Sequence, residues 1–195
     1  DVMNEVAFPV MDLVHHGLDA LAHRFLDAYL DATGDYAGLR TLRFYLTYRA
    51  MVRAKVSCIR AHQGGISAAD RERSANACRG HLELAQRVAR RPPGVLVAMH
   101  GVSGSGKTTI SGHLVEALGA VRLRSDVERK RLRGLDALAR TDSAPGAGLY
   151  APEADRITYG RLAALAGEVL DAGYPVVVDA AFLKHSWREM FREFA

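Results

Sequence analysis

The sequence predicts an α/β domain built on a parallel sheet, preceded by an all-helical segment. Three observations predict it. The apolar periodicity up to residue 91 is helical throughout. It stops at Arg91-Pro92-Pro93-Gly94. Beyond that mark, short apolar runs alternate with helical stretches, which is the pattern of parallel strands joined by helices.

In the first part, Met11 to Ala32 places Leu13, Leu18, Leu21, Ala22, Phe25, Leu26, Tyr29 and Leu30 at helical spacing, and Gly34 supplies the stop. A second helix is predicted over Tyr36 to His62. Its apolar stripe is Leu39, Leu42, Phe44, Tyr45, Tyr48, Met51, Val52, Val56 and Ile59, and Gly64-Gly65 breaks it. Ser67 opens a third helix that reaches Arg90, with Asp70 as its capping-box partner. Apolar positions there are sparse, so one face is solvated.

In the second part, Val95-Leu96-Val97-Ala98-Met99-His100 reads as a buried parallel strand. A Gly-rich loop follows, then a helix over Lys107 to Leu118 that stops at Gly119. Val121 to Arg124 is a second strand, Asp126 to Leu132 a short helix and Thr141 to Gly148 a loop. Pro152 to Ala172 forms a long helix, with Pro tolerated in its first turn. Pro175-Val176-Val177-Val178-Asp179 is a third strand, and Lys184 to Phe194 begins another helix.

Composition bounds the partners. A chain of 195 residues holds one large domain or two small ones. No apolar run approaches the roughly 20 residues that span a bilayer, so no membrane partner is expected. Asp1 and Glu5 at the start are unlike a signal peptide. Cys58 and Cys78 both fall in helical segments and make no disulfide framework; free thiols, buried in whole or part, and a reducing cytoplasm are expected. A net charge of +4 is modest, and the cluster Arg129-Lys130-Arg131 with Arg133 lacks interleaved aromatics, so it reads as a solvated face and not a nucleic-acid patch. The eight histidines show no metal-ligand spacing, and no zinc site is assigned.

The chemistry centres on Gly101-Val102-Ser103-Gly104-Ser105-Gly106-Lys107-Thr108, a full match to the phosphate-binding P-loop. Gly101, Gly104 and Gly106 let the backbone turn tightly and bring its N–H groups to phosphate oxygens. Ser103 and Ser105 are small enough not to block that approach. Lys107 carries a positive charge to the β- and γ-phosphates, Thr108 offers a hydroxyl to Mg²⁺, and Thr109 completes the loop. The helix that follows points its positive N-terminus at the phosphates. ATP and Mg²⁺ are therefore the expected ligands. Asp179 ends an apolar strand, where a carboxylate organises the metal or, in the plainer reading, caps a turn. Asp126 lies where the second strand delivers its end to the same crevice. It can accept a proton from an attacking hydroxyl, and Arg129, three residues on, shares its helix face. The plainer reading is that Ser125 or Asp126 caps the helix; both roles can coexist.

These residues carry a resemblance. The Gly101–Thr109 loop, the Leu123-Arg124-Ser125-Asp126-Val127-Glu128-Arg129 segment and Val176-Val177-Val178-Asp179-Ala180 resemble the P-loop kinases of small molecules and polynucleotides, gluconate-kinase-like and zeta-toxin-like members included. The resemblance implies an α/β P-loop kinase domain over residues 92–195, a general base at Asp126, a phosphate- or acceptor-contacting group at Arg129, and a strand order 2-3-1. The N-terminal part, residues 1–91, looks like the C-terminal helices of an aminoglycoside-phosphotransferase-like domain. It does so through Glu5-Val6-Ala7-Phe8, Gly34-Asp35-Tyr36, Phe44-Tyr45 and Arg49 to Val56. Fusions of such a domain to a P-loop domain are described as bifunctional or AAA-family ATPases. The expected function is transfer of the γ-phosphoryl of ATP to a hydroxyl of a small molecule. A regulatory ATPase module and a polynucleotide 5′-hydroxyl kinase are the alternatives.

Three strands are fewer than such a sheet usually holds. The chain thus reads as a piece, with the adenine-contacting and lid residues expected beyond residue 195. Val95–His100 would then be an unprotected sheet edge through which the piece self-associates.

Overall fold

The computed structural model describes residues 2–91, 93–136 and 152–192; the loop expected over 141–148 lies outside them. The chain forms two compact units, one of residues 1–22 and 38–91, the other of residues 23–37 and 92–195.

The first unit is helical. Helix α1 spans Val2–His15, α2 spans Asp19–Thr33 and contributes its first residues here, α3 spans Leu39–Ala61 and α4 spans Ala68–Ala89. The single helix expected from Met11 to Ala32 is in fact two. Gly17 takes a left-handed conformation (φ 73°) and ends α1, so the apolar spacing that continued through it belongs to two separate faces. Met3, Val6, Ala7, Val10 and Met11 of α1 are buried, and α1 packs on α3 and α4.

Helix α3 buries Leu39 and Leu42 of the expected stripe but turns most of the rest outward. Leu39, Leu42, Leu46, Ala50, Ala54 and Ala61 face inward, whereas Phe44, Tyr48, Met51, Val52, Val56 and Ile59 are exposed. The helix is apolar on two sides, and periodicity alone does not choose between them. The alanine-bearing side lets α4 approach closely, and that side is the one buried. Cys58 is exposed rather than buried, and Cys78 is half-buried; both are free thiols.

The N-terminus of α4 follows the sequence. The Ser67 hydroxyl accepts a 3.0 Å bond from the Asp70 N–H and lies 2.7 Å from the Asp70 carboxylate. That bond and the Arg73 guanidinium hold the Asp70 carboxyl below its ordinary range. Ser67→Ala is expected to cost about 1 kcal/mol of stability, the usual worth of such a cap. Chemical denaturation checks this, and Ser67→Asn should restore most of the loss.

The second unit carries the sheet. Strand β1 (Leu96–Ala98) leads through the Gly-rich loop into α5 (Lys107–Leu118). Strand β2 (Val121–Arg124), α6 (Ser125–Arg131), α7 (Pro152–Asp171), β3 (Val176–Asp179) and α8 (His185–Arg192) follow. The strands are parallel in the order β1-β3-β2, as the 2-3-1 order required. All four residues of β3 are buried, which fits a central strand covered on both faces; α5 and α7 pack on it. Val115 of α5 and Leu162, Leu165, Ala166 and Val169 of α7 complete this core. Strand β1 is shorter than expected and only half-buried, because among the described residues it has a neighbour on one side only.

Strand β2 alternates cleanly: Val121 and Leu123 are buried while Arg122 and Arg124 face the other way. What they meet is α2. Residues 23–37, which the sequence places with the helical segment, pack in this second unit. Arg122 pairs with Asp27 at 2.7 Å and Arg124 with Asp31 at 3.2 Å.

Candidate nucleotide-binding site

The base of the Gly-rich loop is tied to the central strand. The Met99 N–H donates to the Val178 carbonyl (3.0 Å) and the Gly101 N–H to the Ala181 carbonyl (3.2 Å). Gly101 adopts φ 146°, and a Cβ there would lie 2.8 Å from the Ser105 hydroxyl, so only glycine fits. Gly106 is left-handed and immediately precedes α5. The N–H groups of Lys107 and Thr108 fall in the first turn of that helix and have no partner within it, which leaves them for an anion.

The loop opens onto a cleft of about 1030 Å³. Ser103, Gly104, Gly106, Lys107 and Thr108 line one wall, and Asp126, Arg129 and Asp179 line the rest together with residues of α7 and α8. The structure thus gathers four separately predicted elements in one place. Gly101, Ser105 and Thr109 do not line it. Gly101 sits at the loop's base, the Ser105 hydroxyl turns back to the Val102 carbonyl at 2.8 Å, and Thr109 follows round α5, bonded to the Gly106 carbonyl. The Lys107 ammonium lies across the loop, donating to the Val102 carbonyl.

Asp179 is buried, and its Oδ2 accepts from the Thr108 hydroxyl at 2.9 Å. Ser111 Oγ lies 3.2 Å from the same oxygen. A carboxylate and a hydroxyl this close are hard oxygen donors of the kind Mg²⁺ takes beside phosphate, so the pair fits that ion. Ser111 was missed by the sequence reading, although its place three residues after Thr108 on the same helix face was the available signal.

Beyond Asp179 the backbone is pinned. Phe182 is fully buried with φ 49°, an uncommon conformation for a non-glycine residue. Its N–H donates to the Tyr159 hydroxyl at 3.0 Å, and Arg188 donates to its carbonyl at 2.7 Å. Burial pushes the Tyr159 hydroxyl pKa up, which keeps it a neutral donor-acceptor. Tyr159 stacks on Trp187, with centroids 4.7 Å apart and planes at 4°, and both rings line the cleft.

On the facing wall, α6 begins at Ser125 after Arg124, which makes no side-chain cap. Asp126 therefore sits in the first turn and is not the cap residue, and its carboxylate pairs with Lys130 at 2.7 Å. Arg129 pairs with Asp155 of α7 at 2.8 Å. Asp155, Tyr159, Trp187 and Arg124 escaped the sequence reading. Nothing in a linear pattern marks them: α7 and α8 read only as helices, and Arg124 only as the end of a strand.

Residues 96–195 match the family model described as "AAA domain". Over all 195 residues the chain is 32% identical to uncharacterized proteins of Mycobacterium tuberculosis and Mycobacterium bovis. It spans 38% of the length of these curated relatives. No solved structure matches the chain.

Proposed function

Because the chain belongs to the AAA-domain family of P-loop nucleotide-binding proteins, we propose that this cleft transfers the γ-phosphoryl of ATP to a hydroxyl of a small molecule. The observation that carries the proposal is the convergence of Asp126 with the P-loop and Asp179 in one cleft. A nucleotide switch needs the loop and the metal-side acid, but it has no need of a carboxylate on the acceptor wall.

In this reading the P-loop amides and Lys107 hold the phosphates. Thr108 and Asp179 would hold Mg²⁺, which would supply positive charge against the phosphates. Asp126 takes the proton from the attacking hydroxyl, and Arg129, fixed by Asp155, orients the acceptor. The chemistry is positioning and charge stabilisation, with no covalent intermediate on the chain. An aromatic plate of Trp187 on Tyr159 suits an acceptor with a flat or ring-shaped face.

The helical first unit we assign to the end of an aminoglycoside-phosphotransferase-like domain, on Glu5-Val6-Ala7-Phe8, Phe44-Tyr45 and Arg49 to Val56. The greater length of the relatives accords with a second domain but does not identify it. No helix among the described residues is long and apolar enough to cross a membrane.

An ATP-consumption screen of the protein against sugars, aminoglycosides, nucleosides and 5′-hydroxyl oligonucleotides tests the function. Acceptor-independent ATP turnover alone would favour the regulatory ATPase, and turnover only with oligonucleotides the polynucleotide kinase.

Self-association is a separate expectation. Strand β1 is one of the two sheet edges among the described residues, and Val95 beside it is exposed. The 195-residue chain should elute in size-exclusion chromatography as a concentration-dependent oligomer, and Val95→Lys should shift it to the monomer volume. A monodisperse wild-type monomer at high concentration would rule this out.

A further inference from the structure

Helix α6 has seven residues, about two turns, and so short a helix does not hold itself in water. Its pose must come from tertiary contacts. At about 100° per residue, positions 124, 128 and 131 fall on one side of it, and 125, 126 and 129 on the other. The second side carries Asp126 and Arg129 and lines the cleft. The first side is held by residues 23–37.

The holding contacts are specific. Asp31 reaches both ends of α6: its carboxylate pairs with Arg124, just before the first turn, and its carbonyl accepts from Arg131, in the last, at 2.7 Å. Glu128, in the middle, is only 1% exposed. It pairs with Arg131, lies 3.7 Å from Arg161 of α7, and is 3.5 Å from the hydroxyl of the buried Tyr36. Gly34 makes room for this arrangement, since a Cβ there would lie 2.8 Å from Arg131 Nε. The Asp27–Arg122 pair extends the contact along β2. The register matches for a simple reason. Residues i and i+4 of a helix are about 6 Å apart along its axis, and residues i and i+2 of a strand about 6.6 Å. Asp27 and Asp31 therefore meet Arg122 and Arg124 in register, with Arg122 also 3.9 Å from Asp31.

We propose that residues 23–37 are a working part of the P-loop unit, in which Asp31 and Glu128 are positioning residues that fix α6 and thereby place Asp126 and Arg129 in the cleft. The catalytic consequence rests on the kinase reading; the tether itself does not. Charged partners suit this task better than an apolar contact, because the planar fork of N–H donors on an arginine fixes direction and register as well as distance.

Hydrogen–deuterium exchange on the full 195-residue chain tests the tether, with MgATP as the binding probe. Asp31→Asn and Arg131→Lys both weaken it at half-exposed positions. In each, amides of 125–131 should exchange about tenfold faster or more, an opening about 1.4 kcal/mol easier. Amides of α5 should be unchanged, MgATP affinity should stay within about twofold, and Asp31→Glu should restore protection. With an acceptor in hand, kcat should fall while the KM for ATP holds. Wild-type exchange in α6 of both variants would overturn the proposal. So would an increase spread equally over α5, which would make the network a general stabiliser. Absence of any phosphoryl transfer by the wild type would remove the kinase reading and leave the exchange result to decide the tether.

Discussion

Lys107→Ala should lose MgATP affinity by about ten- to a hundredfold and abolish phosphoryl transfer, with the thermal melt unchanged. The size follows from removing one charge-assisted contact to phosphate, worth about 1.5–3 kcal/mol. The fold should survive because, among the described residues, the Lys107 ammonium bonds to its own loop, at the Val102 carbonyl and the Ser105 hydroxyl. No core side chain depends on it. Isothermal titration with MgATP, beside a melt on the same sample, checks both halves. Retained affinity and turnover would remove the assignment of the loop.

Asp126→Asn should separate binding from chemistry. If Asp126 accepts the proton of the acceptor hydroxyl, turnover falls by about 10²–10⁴, the usual worth of general-base catalysis, while MgATP binding holds. The structure sharpens the alternative. Arg124, not Asp126, occupies the cap position of α6, so loss of a cap cannot explain a change in rate. What Asn would remove structurally is one negative charge in a first helical turn and a pair with Lys130, on a side chain 46% exposed. Together these are worth under about 1 kcal/mol. A kinase assay and a denaturation curve decide between the two: lost turnover with retained stability supports the base, and unchanged turnover rejects it.

Legibility in the sequence followed the range of the interactions. The Gly-rich loop was readable as a motif because its geometry is local. Eight consecutive residues supply the turns, the amides, the lysine and the hydroxyl, and a strand and a helix flank them. The three strands and their order were readable because buried parallel strands are apolar runs, and the kinase resemblance supplied the topology. Asp179 ends β3 and Asp126 follows the end of β2, and in a parallel sheet strand ends converge on one edge, so a linear reading could set both beside the loop. The cap at Ser67 was equally local.

Only the tertiary structure decided the rest. It chose which of two apolar faces of α3 is buried, since periodicity cannot rank faces that differ in how closely a neighbour can approach. It brought Asp155 to Arg129 and Tyr159 to Phe182, pairs 26 and 23 residues apart that no spacing rule links. Above all it took residues 23–37 out of the helical segment and set Asp27 and Asp31 against Arg122 and Arg124, more than ninety positions later. Alternation along β2 showed that two arginines share a face, but a charge on a surface pattern does not name its partner. Which carboxylates meet them is fixed by where the chain returns in space, and no local pattern carries that information.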